Sequence, residues 1–311
     1  VIKVFTAKDV LGSNNLESPV VVPRKLGAGI TPCPVIAGDK ITVAGSSTNP
    51  ITVTLGNGVT PAALTIRPTN DGSATVGSYV NTNVATESAL TLNATNGDIT
   101  YGDTNNSLQL NANTVFTVTG TDATNSVTMN SPVTSTDGTA AFNVNGGVVY
   151  NMASDHSGFT GTYTQNGSTV NVTNKFINAA AGSMVSNNGT IVFDRGASIS
   201  NNNLTVRNAN IVFNTNTTSE IGVIKASTNG GRVRYGANND ITLNQANVTV
   251  NNGYILSSND ADNTTGRIEV GNTTQGVRSL TLNNSGLAND ADVNLVGGTL
   301  NIMGNAKLSQ G

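Results

Sequence analysis

A short alternating pattern recurs along the chain and constrains its fold more than any other feature of the sequence. In each instance two apolar residues flank one polar residue, as in ALTLN at residues 89–93, SLQLN at 107–111, VFTVT at 115–119 and SLTLN at 279–283. Because residues two apart lie on the same face of a β-strand, each instance predicts a short strand with one face in a core and the other in solvent.

The segments between these strands are rich in Asn and Gly. The strands begin roughly 9 to 20 residues apart, and Asn-Asn, Asn-Gly or Gly-Gly pairs separate them, as at residues 145–147, 187–189 and 251–253. Asn and Gly adopt a positive φ at the least cost, so these pairs predict tight corners. Hairpin turns use the same residues, and the corners alone therefore do not separate stacked coils from antiparallel sheets.

Three features favour stacked coils: the strands are short, their internal pattern is nearly constant, and Asn recurs just after them. Stacking would bury each inward apolar residue against the turns above and below, and Asn side chains could hydrogen-bond along the stack. An immunoglobulin-like array would be expected to carry core Trp or Tyr, yet the chain has no Trp and six Tyr. The sequence therefore predicts an all-β, right-handed parallel β-helix (a β-solenoid), with tandem β-sandwich domains as the alternative.

The first 68 residues differ in composition from the rest. Seven of the eight prolines lie there, and five basic residues precede residue 45. Stacked repeats need atypical end units, and proline blocks unwanted edge pairing. We therefore expect an N-terminal cap or small β domain over residues 1–68, and β-solenoid repeats over residues 69–311.

Composition excludes several classes of partner. Charged residues make up 11% of the chain, the net charge is −3 and the isoelectric point is about 5.0, so no basic surface for nucleic acid is expected. No stretch approaches the roughly 18 apolar residues that a membrane-spanning helix needs.

The residue types that support catalysis are scarce. The single His, His156, has no nucleophile motif around it and is expected to be a surface or loop histidine. The single Cys, Cys33, lies between prolines without metal-ligating neighbours. One His and one Cys exclude a His/Cys metal site within one chain. No catalytic residue and no cofactor are therefore predicted.

Two identical Asn-Asp-Ala-Asp tetrapeptides are the best candidates for a metal site. They place Asp260 with Asp262 and, 30 residues later, Asp290 with Asp292. Oxygen-rich turns can bind Ca²⁺, so these four residues are candidate Ca²⁺ ligands. They lack the glycine-rich pattern of calcium-binding β-rolls, and simple turn chemistry is the alternative.

Two segments carry a family resemblance: SGFTGTYTQNGSTVNV at residues 157–172 and GGTLNIMG at residues 297–304. They resemble the strand-loop-strand repeats of bacterial autotransporter passengers. The Asn-, Thr- and Gly-rich texture of residues 70–311 is similar to rickettsial outer-membrane protein B and its relatives. This resemblance implies an exported passenger at the bacterial cell surface that acts as an adhesin, coat or scaffold.

The expected function is that of a structural or adhesive cell-surface protein rather than an enzyme. Its expected partners are molecules of a host or neighbouring cell surface, and it could also self-associate through exposed strand edges, including the edge of residues 1–6. Two alternatives are a self-assembling surface-layer or filament subunit and a polysaccharide-processing β-helix enzyme. The shortage of aromatic residues, 4% of the chain, disfavours the enzyme.

Overall fold

The computed structural model describes most of the chain, and all of its regular structure there is β. The described residues are 2–6, 15–16, 21–26, 29–34, 40–48, 50–55, 62–69, 72–81, 89–178, 184–194, 197, 204–214, 220–227, 230–234, 240–252, 254–256, 267–270, 276–288, 292–295 and 297–308. Within these ranges there are 32 strands and no helix. It follows that none of these residues belongs to a helix able to cross a membrane.

The strands are short and follow one another closely along the chain. They are β1 (Ile2–Thr6), β2 (Asn15–Leu16), β3 (Val21–Leu26), β4 (Gly29–Pro34), β5 (Lys40–Gly45), β6 (Ile51–Leu55), β7 (Ala63–Pro68), β8 (Ser73–Asn81), β9 (Ala89–Asn93), β10 (Asp98–Tyr101), β11 (Leu108–Leu110), β12 (Val115–Gly120), β13 (Ser126–Met129), β14 (Val133–Ser135), β15 (Ala141–Gly146), β16 (Val149–Met152), β17 (Thr162–Asn166), β18 (Thr169–Val172), β19 (Met184–Asn187), β20 (Thr190–Phe193), β21 (Leu204–Arg207), β22 (Asn210–Asn214), β23 (Glu220–Ser227), β24 (Gly230–Arg234), β25 (Asp240–Asn251), β26 (Tyr254–Leu256), β27 (Arg267–Val270), β28 (Gly276–Asn283), β29 (Gly286–Ala288), β30 (Asp292–Leu295), β31 (Thr299–Met303) and β32 (Lys307–Leu308).

The chain divides into two compact units, residues 1–162 and 163–311. In unit 1, strands from successive turns pair in parallel to form rows. The first row is β1, β5, β7, β9, β12 and β15. The second is β2, β6, β8, β10, β13 and β16, and β11 with β14 begins a third. This is the predicted parallel β-solenoid, and the β-sandwich alternative is wrong for these strands.

The core of unit 1 consists of inward side chains stacked in register. Leu64, Leu90, Phe116 and Phe142 form one column in the first row, and each is at most 2% exposed. The Phe116 and Phe142 rings have centroids 4.7 Å apart. Such burial removes apolar surface from water and contributes about 1.5–3 kcal/mol per large side chain. The alternation in the sequence therefore becomes a continuous apolar stack.

Unit 2 repeats this arrangement. Its first row is β17, β19, β21 and the N-terminal half of β25, and its second row is β18, β20, β22, the C-terminal half of β25, β28 and β31. A third row is β23, β26, β29 and β32, and β27 pairs with β30. Phe193 and Phe213 lie next to each other in the second-row core with centroids 5.7 Å apart.

The corner between the first and second rows of unit 2 uses one conformation in four consecutive turns. Gly167, Asn188, Asn208 and Gln245 hold it, with φ between +45° and +71°. Each is followed by a buried small residue, Ser168, Gly189, Ala209 or Ala246. A left-handed residue reverses the chain, and a small one lets the backbones of adjacent turns approach. The prediction of positive φ at these Asn and Gly corners is confirmed.

Antiparallel pairing also occurs, and the repeat pattern does not predict it. Strands β3 and β4 form a separate antiparallel pair that includes Cys33 in the backbone register. In unit 2, β24 pairs antiparallel with both β23 and β25. In sequence, β23 and β24 lie between β22 and β25, in the longest interval between first-row strands of unit 2.

Strands on both sides of residue 68 belong to the same rows. In the first row β7, which ends at Pro68, pairs in register with β9, and in the second row β6 pairs with β8. A cap or small β domain over residues 1–68 stays a prediction.

Candidate functional site

The outward side chains of the rows are the main candidate for a functional surface. Because alternate residues face outward and neighbouring turns pair without a shift over most of their length, outward residues form columns with a spacing of about 4.8 Å. They include amide ladders in unit 2 and a threonine column in unit 1.

The amide ladders of unit 2 are held together by side-chain hydrogen bonds between turns. The Asn251 amide donates to Asn214 Oδ1 at 2.8 Å, and the Asn283 amide donates to Asn251 Oδ1 at 3.3 Å. We call these three residues the asparagine ladder. A parallel series joins Thr190, Asn210, Asn247 and Ser279. The prediction that Asn side chains bond along the stack is confirmed, and these amide groups support the fold.

The threonine column lies on the first row of unit 1 and consists of Thr42, Thr65, Thr91 and Thr117. These residues are in direct register from β5 to β12 and are half-buried. Within the described part of the chain their hydroxyl groups have no hydrogen-bond partner, in contrast to the asparagine ladder. Four hydroxyl groups at a regular spacing are therefore available to a partner or to water.

A column of small apolar residues lies beside the threonine column. Ala63, Ala89, Val115 and Ala141 occupy the outward position two residues before each polar member of the row. Val115 is 40% exposed, one of few large apolar side chains exposed among the described residues. From β9 to β15 this face carries no charged side chain. Between β9 and β15 the face therefore consists of uncharged methyl, hydroxyl and amide groups.

The charges of this region lie outside those strands and have one sign. Residues 68–174 contain seven Asp or Glu and no Lys or Arg. Several of these carboxylates accept hydrogen bonds within their own turns: Asp103 from Asn105 and Asn106, Asp122 from Thr124, and Asp137 from Thr139. The hydrogen bonds from Thr124 and Thr139 lower the pKa of Asp122 and Asp137. The corners therefore stay anionic at neutral pH, which disfavours polyanionic partners.

His156 is predicted from the sequence to be a surface or loop histidine. It lies in a loop of unit 1, but it is completely buried, so a surface position is wrong. Its Nδ1 is 2.9 Å from the Ser154 carbonyl oxygen and its Nε2 is 2.8 Å from the Tyr150 hydroxyl. A carbonyl only accepts, so Nδ1 carries the proton and Nε2 accepts from Tyr150. Desolvation by burial lowers the pKa of His156 to about 4. The ring is thus neutral at physiological pH.

The residues around His156 do not form a Ser-His-Asp triad. The Asp155 carboxylate accepts hydrogen bonds from the backbone N–H and hydroxyl of Ser157, the latter at 2.6 Å. The Ser154 hydroxyl donates to the carbonyl oxygens of Met129 and Ser131. Neither hydroxyl is directed to an imidazole nitrogen, so this cluster satisfies buried polar groups rather than activating a nucleophile.

A second buried polar cluster lies in unit 2 and is also satisfied. The Gln165 amide donates to the carbonyl oxygens of Ser168 and Thr190, both at 2.8 Å, and its Oε1 accepts from the Ser186 hydroxyl at 3.0 Å. Gln165 and Ser186 are completely buried. These contacts join Gln165 in β17 to the corner of its own turn at Ser168 and to β19 and β20 of the next turn.

The predicted Ca²⁺ ligands are largely beyond the part of the chain that the structure describes. Asp260, Asp262 and Asp290 lie outside the described residues. Asp292 begins β30, where its backbone is in register with Arg267 of β27, and its side chain is not described. The described residues contain no group of three or more His, Cys, Asp or Glu side chains able to hold a metal ion. The Ca²⁺ hypothesis for the two tetrapeptides stays a prediction.

The aromatic side chains are internal wherever the structure describes their burial. Four tyrosines and six phenylalanines are at most 5% exposed: Tyr79, Tyr101, Tyr150, Tyr163, Phe116, Phe142, Phe159, Phe176, Phe193 and Phe213. The described surface therefore offers no aromatic ring on which a sugar could stack.

No protein-family model matches the chain, and no curated protein or solved structure matches it either.

Proposed function

We propose that this protein is an extracellular structural or adhesive protein, displayed at a bacterial cell surface as an exported passenger. The observation that carries the proposal is the threonine column, a regular row of four hydroxyl groups without a hydrogen-bond partner in the described part of the chain. Lys40 and Arg67 lie outward on its first two strands, β5 and β7, and no charged side chain lies on this face from β9 to β15. Such a face contacts a partner over an area rather than at a single residue. The autotransporter-like repeats at residues 157–172 and 297–304 are the basis for the cell-surface location.

The chemistry of the face favours a neutral or cationic partner on a host or neighbouring cell. Hydroxyl groups can donate and accept hydrogen bonds, and the methyl groups of Thr, Ala and Val add apolar area. The anionic corners of residues 68–174 add a repulsive field against nucleic acid and other polyanions. The described aromatic and histidine side chains are buried, which disfavours the alternative of a polysaccharide-processing enzyme.

The experiment is a retention assay with Gram-negative cells that display the chain on an outer-membrane anchor. Cells displaying the natural chain are expected to be retained on a layer of cultured cells, or to clump with each other, more than cells that carry the anchor alone. Equal retention of the two strains, with equal clumping, would overturn the proposal.

A pair of variants tests whether the threonine column is the adhesive face. Thr91→Lys places a long charged side chain in the middle of the column and is expected to reduce retention to near that of the anchor alone. Thr249→Lys makes the same change at a half-buried outward position of unit 2. It is expected to retain cells as the natural chain does. Equal loss in both variants would show that charge, rather than the column, determines retention.

A further inference from the structure

A loop of unit 1, residues 153–161, contains no strand and lies beside β14. We call it the histidine loop. The N–H groups of Val133 and Ser135 in β14 donate to the carbonyl oxygens of Asp155 and Gly158 in this loop, both at 3.2 Å. By contrast, the row strands β12 and β15 are in register over six residues. The histidine loop therefore has a weaker backbone connection to its neighbour than these row strands have to each other.

Two buried rings attach the histidine loop to the core. His156 and Phe159 are both completely buried, and the Phe159 N–H donates to the His156 carbonyl oxygen at 3.0 Å. Both rings pack near Phe142 of β15, with centroids 6.3 Å away for His156 and 5.8 Å away for Phe159. The closed position of the loop therefore requires the imidazole to stay in an apolar environment.

The groups that face the imidazole favour its neutral form. From β16 the Tyr150 hydroxyl donates to Nε2 at 2.8 Å, and from β15 Phe142 contributes an uncharged ring. From the loop itself the Ser154 carbonyl oxygen accepts from Nδ1, and the Asp155 carboxylate accepts from the N–H and the hydroxyl of Ser157. A second proton on the ring would therefore replace the bond from Tyr150 with a charge among aromatic side chains.

Burial also determines how strongly this ring binds a proton. Desolvation lowers the pKa of His156 to about 4, although the Ser154 carbonyl oxygen and the Asp155 carboxylate act in the opposite direction. Residues 68–174 contain no Lys or Arg that could add to this effect. An exposed histidine has a pKa of about 6.5. The imidazole therefore binds a proton more strongly in water than in the closed loop, so acid favours its exposure.

We propose that protonation of His156 opens the histidine loop and uncovers the aromatic cluster while the parallel rows of unit 1 stay paired. The loop opens before the rows because its connection to β14 is short, whereas each row continues through several turns. Opening exposes Phe142 and Phe159, which are buried in the closed loop. This acid response goes beyond the proposed surface role and does not depend on the threonine column.

Linkage between proton binding and opening determines the size of the response. The closed loop has its full advantage above about pH 6.5 and loses it as the pH falls towards 4. With a pKa of about 4 in the closed loop and about 6.5 in the open one, the ratio of open to closed loops rises about twentyfold between pH 7 and pH 5.

Hydrogen exchange of the full chain at pH 7 and pH 5, corrected for the intrinsic exchange rate at each pH, tests the proposal. The amides of Val133 and Ser135 report on the loop, because both donate to loop carbonyl oxygens. Their protection should fall about twentyfold from pH 7 to pH 5. It should depend little on urea below the unfolding range, because local opening exposes little surface. Exchange of the β12 amides, which requires the rows to unfold, should increase steeply with urea.

Two outcomes of this experiment would contradict the proposal. In the first, the protection of Val133 and Ser135 is the same at both pH values. In the second, these two amides follow the β12 amides in their dependence on urea, because the loop then opens only when the rows unfold.

A pair of variants tests whether the buried ring is the responsible group. His156→Gln removes the titrating group and should make the protection of Val133 and Ser135 independent of pH between 7 and 5. Asn105→His is the matched control, because it adds a histidine at an exposed turn position. It should keep the response of the natural chain. The same response in His156→Gln would refute the role of the ring. Circular dichroism checks that each variant retains the fold.

A second measurement needs no variant. His156 is the only histidine of the chain, so nuclear magnetic resonance of the untagged protein follows its ring directly. The ring should be largely neutral at pH 5 wherever the loop is closed. An imidazolium at pH 5, together with protected amides at Val133 and Ser135, would overturn the proposal, because the closed loop would then accommodate the charge.

Discussion

A single buried histidine shows how the solenoid uses a polar residue internally. His156 donates from Nδ1 and accepts at Nε2, so its neutral form is fully hydrogen-bonded and its charged form would lose the bond from Tyr150. Burial outweighs the Ser154 carbonyl and Asp155, which act in the opposite direction, and lowers the pKa to about 4. An unfolded histidine has a pKa of about 6.5.

This difference predicts a pH dependence of stability. Because the folded pKa is lower than the unfolded one, the stabilisation is complete above about pH 6.5 and declines as the pH falls towards 4. Between pH 6.5 and 5 the free energy of unfolding should fall by about 1.5 kcal/mol. Carboxylates ordinarily titrate at lower pH than this range. Urea unfolding, monitored by tyrosine fluorescence at several pH values, should show this decrease in stability. The variant His156→Gln should remove most of the decrease. Equal pH dependence in the two proteins would contradict the assignment.

The burial of His156 could not be predicted from its local sequence. Its neighbours, Ser154, Asp155, Ser157 and Gly158, are typical of an exposed turn, and the loop assignment is correct. The ring is buried because this loop passes over the end of a core aromatic cluster, with Phe142 at 6.3 Å between centroids. That contact joins the first strand of a turn to a loop later in the same turn, 14 residues away, and the local sequence contains no signal for it.

At the scale of the strand, the asparagine ladder stabilises the second row of unit 2 through side-chain hydrogen bonds between turns. Asn251 donates to one neighbour and accepts from the other, so it joins three successive turns of the second row. Net contributions of such hydrogen bonds are about 1 kcal/mol each. The ladder supplements the apolar core rather than replacing it.

Removing the central member of the ladder should therefore destabilise unit 2. Asn251→Ala breaks two inter-turn hydrogen bonds, and we expect a loss of about 1–2 kcal/mol in the free energy of unfolding. Asn105→Ala is the control, because Asn105 is exposed in a turn and its side chain has no hydrogen bond in the structure. We expect it to change stability by less than about 0.5 kcal/mol. Similar losses in both variants, measured by urea unfolding, would refute a role for the ladder.

The strands and their corners were predictable because each depends on residues close together in sequence. The ALTLN and VFTVT patterns define inward and outward positions, and Asn188 or Gly167 supplies the left-handed corner. The threonine column was harder to identify. Its members occupy the middle of Ile-Thr-Val, Leu-Thr-Ile, Leu-Thr-Leu and Phe-Thr-Val, but only the register shows that these threonines lie in one line. The antiparallel strand β24 interrupts the spacing, and no parallel pairing joins it to a strand of another described turn.

At the scale of the whole molecule, every column of outward or inward residues follows from the stacking of turns. Residues a full turn apart must lie side by side, so that a column contains residues widely separated along the chain. Thr42 and Asn143 are 101 positions apart in sequence, yet four register steps connect them through Thr65, Thr91 and Thr117. The proposed adhesive face depends on this stacking.

Pulsed electron paramagnetic resonance between spin labels tests that relation most directly. Two double-cysteine proteins are made in a Cys33→Ser background, Thr42→Cys with Asn143→Cys and Thr65→Cys with Asn143→Cys. With about 4.8 Å per turn, the stacked column predicts separations of about 19 Å and 14 Å, which differ by one turn. Separations beyond about 30 Å, or a difference between the pairs unrelated to one strand spacing, would contradict the parallel stack.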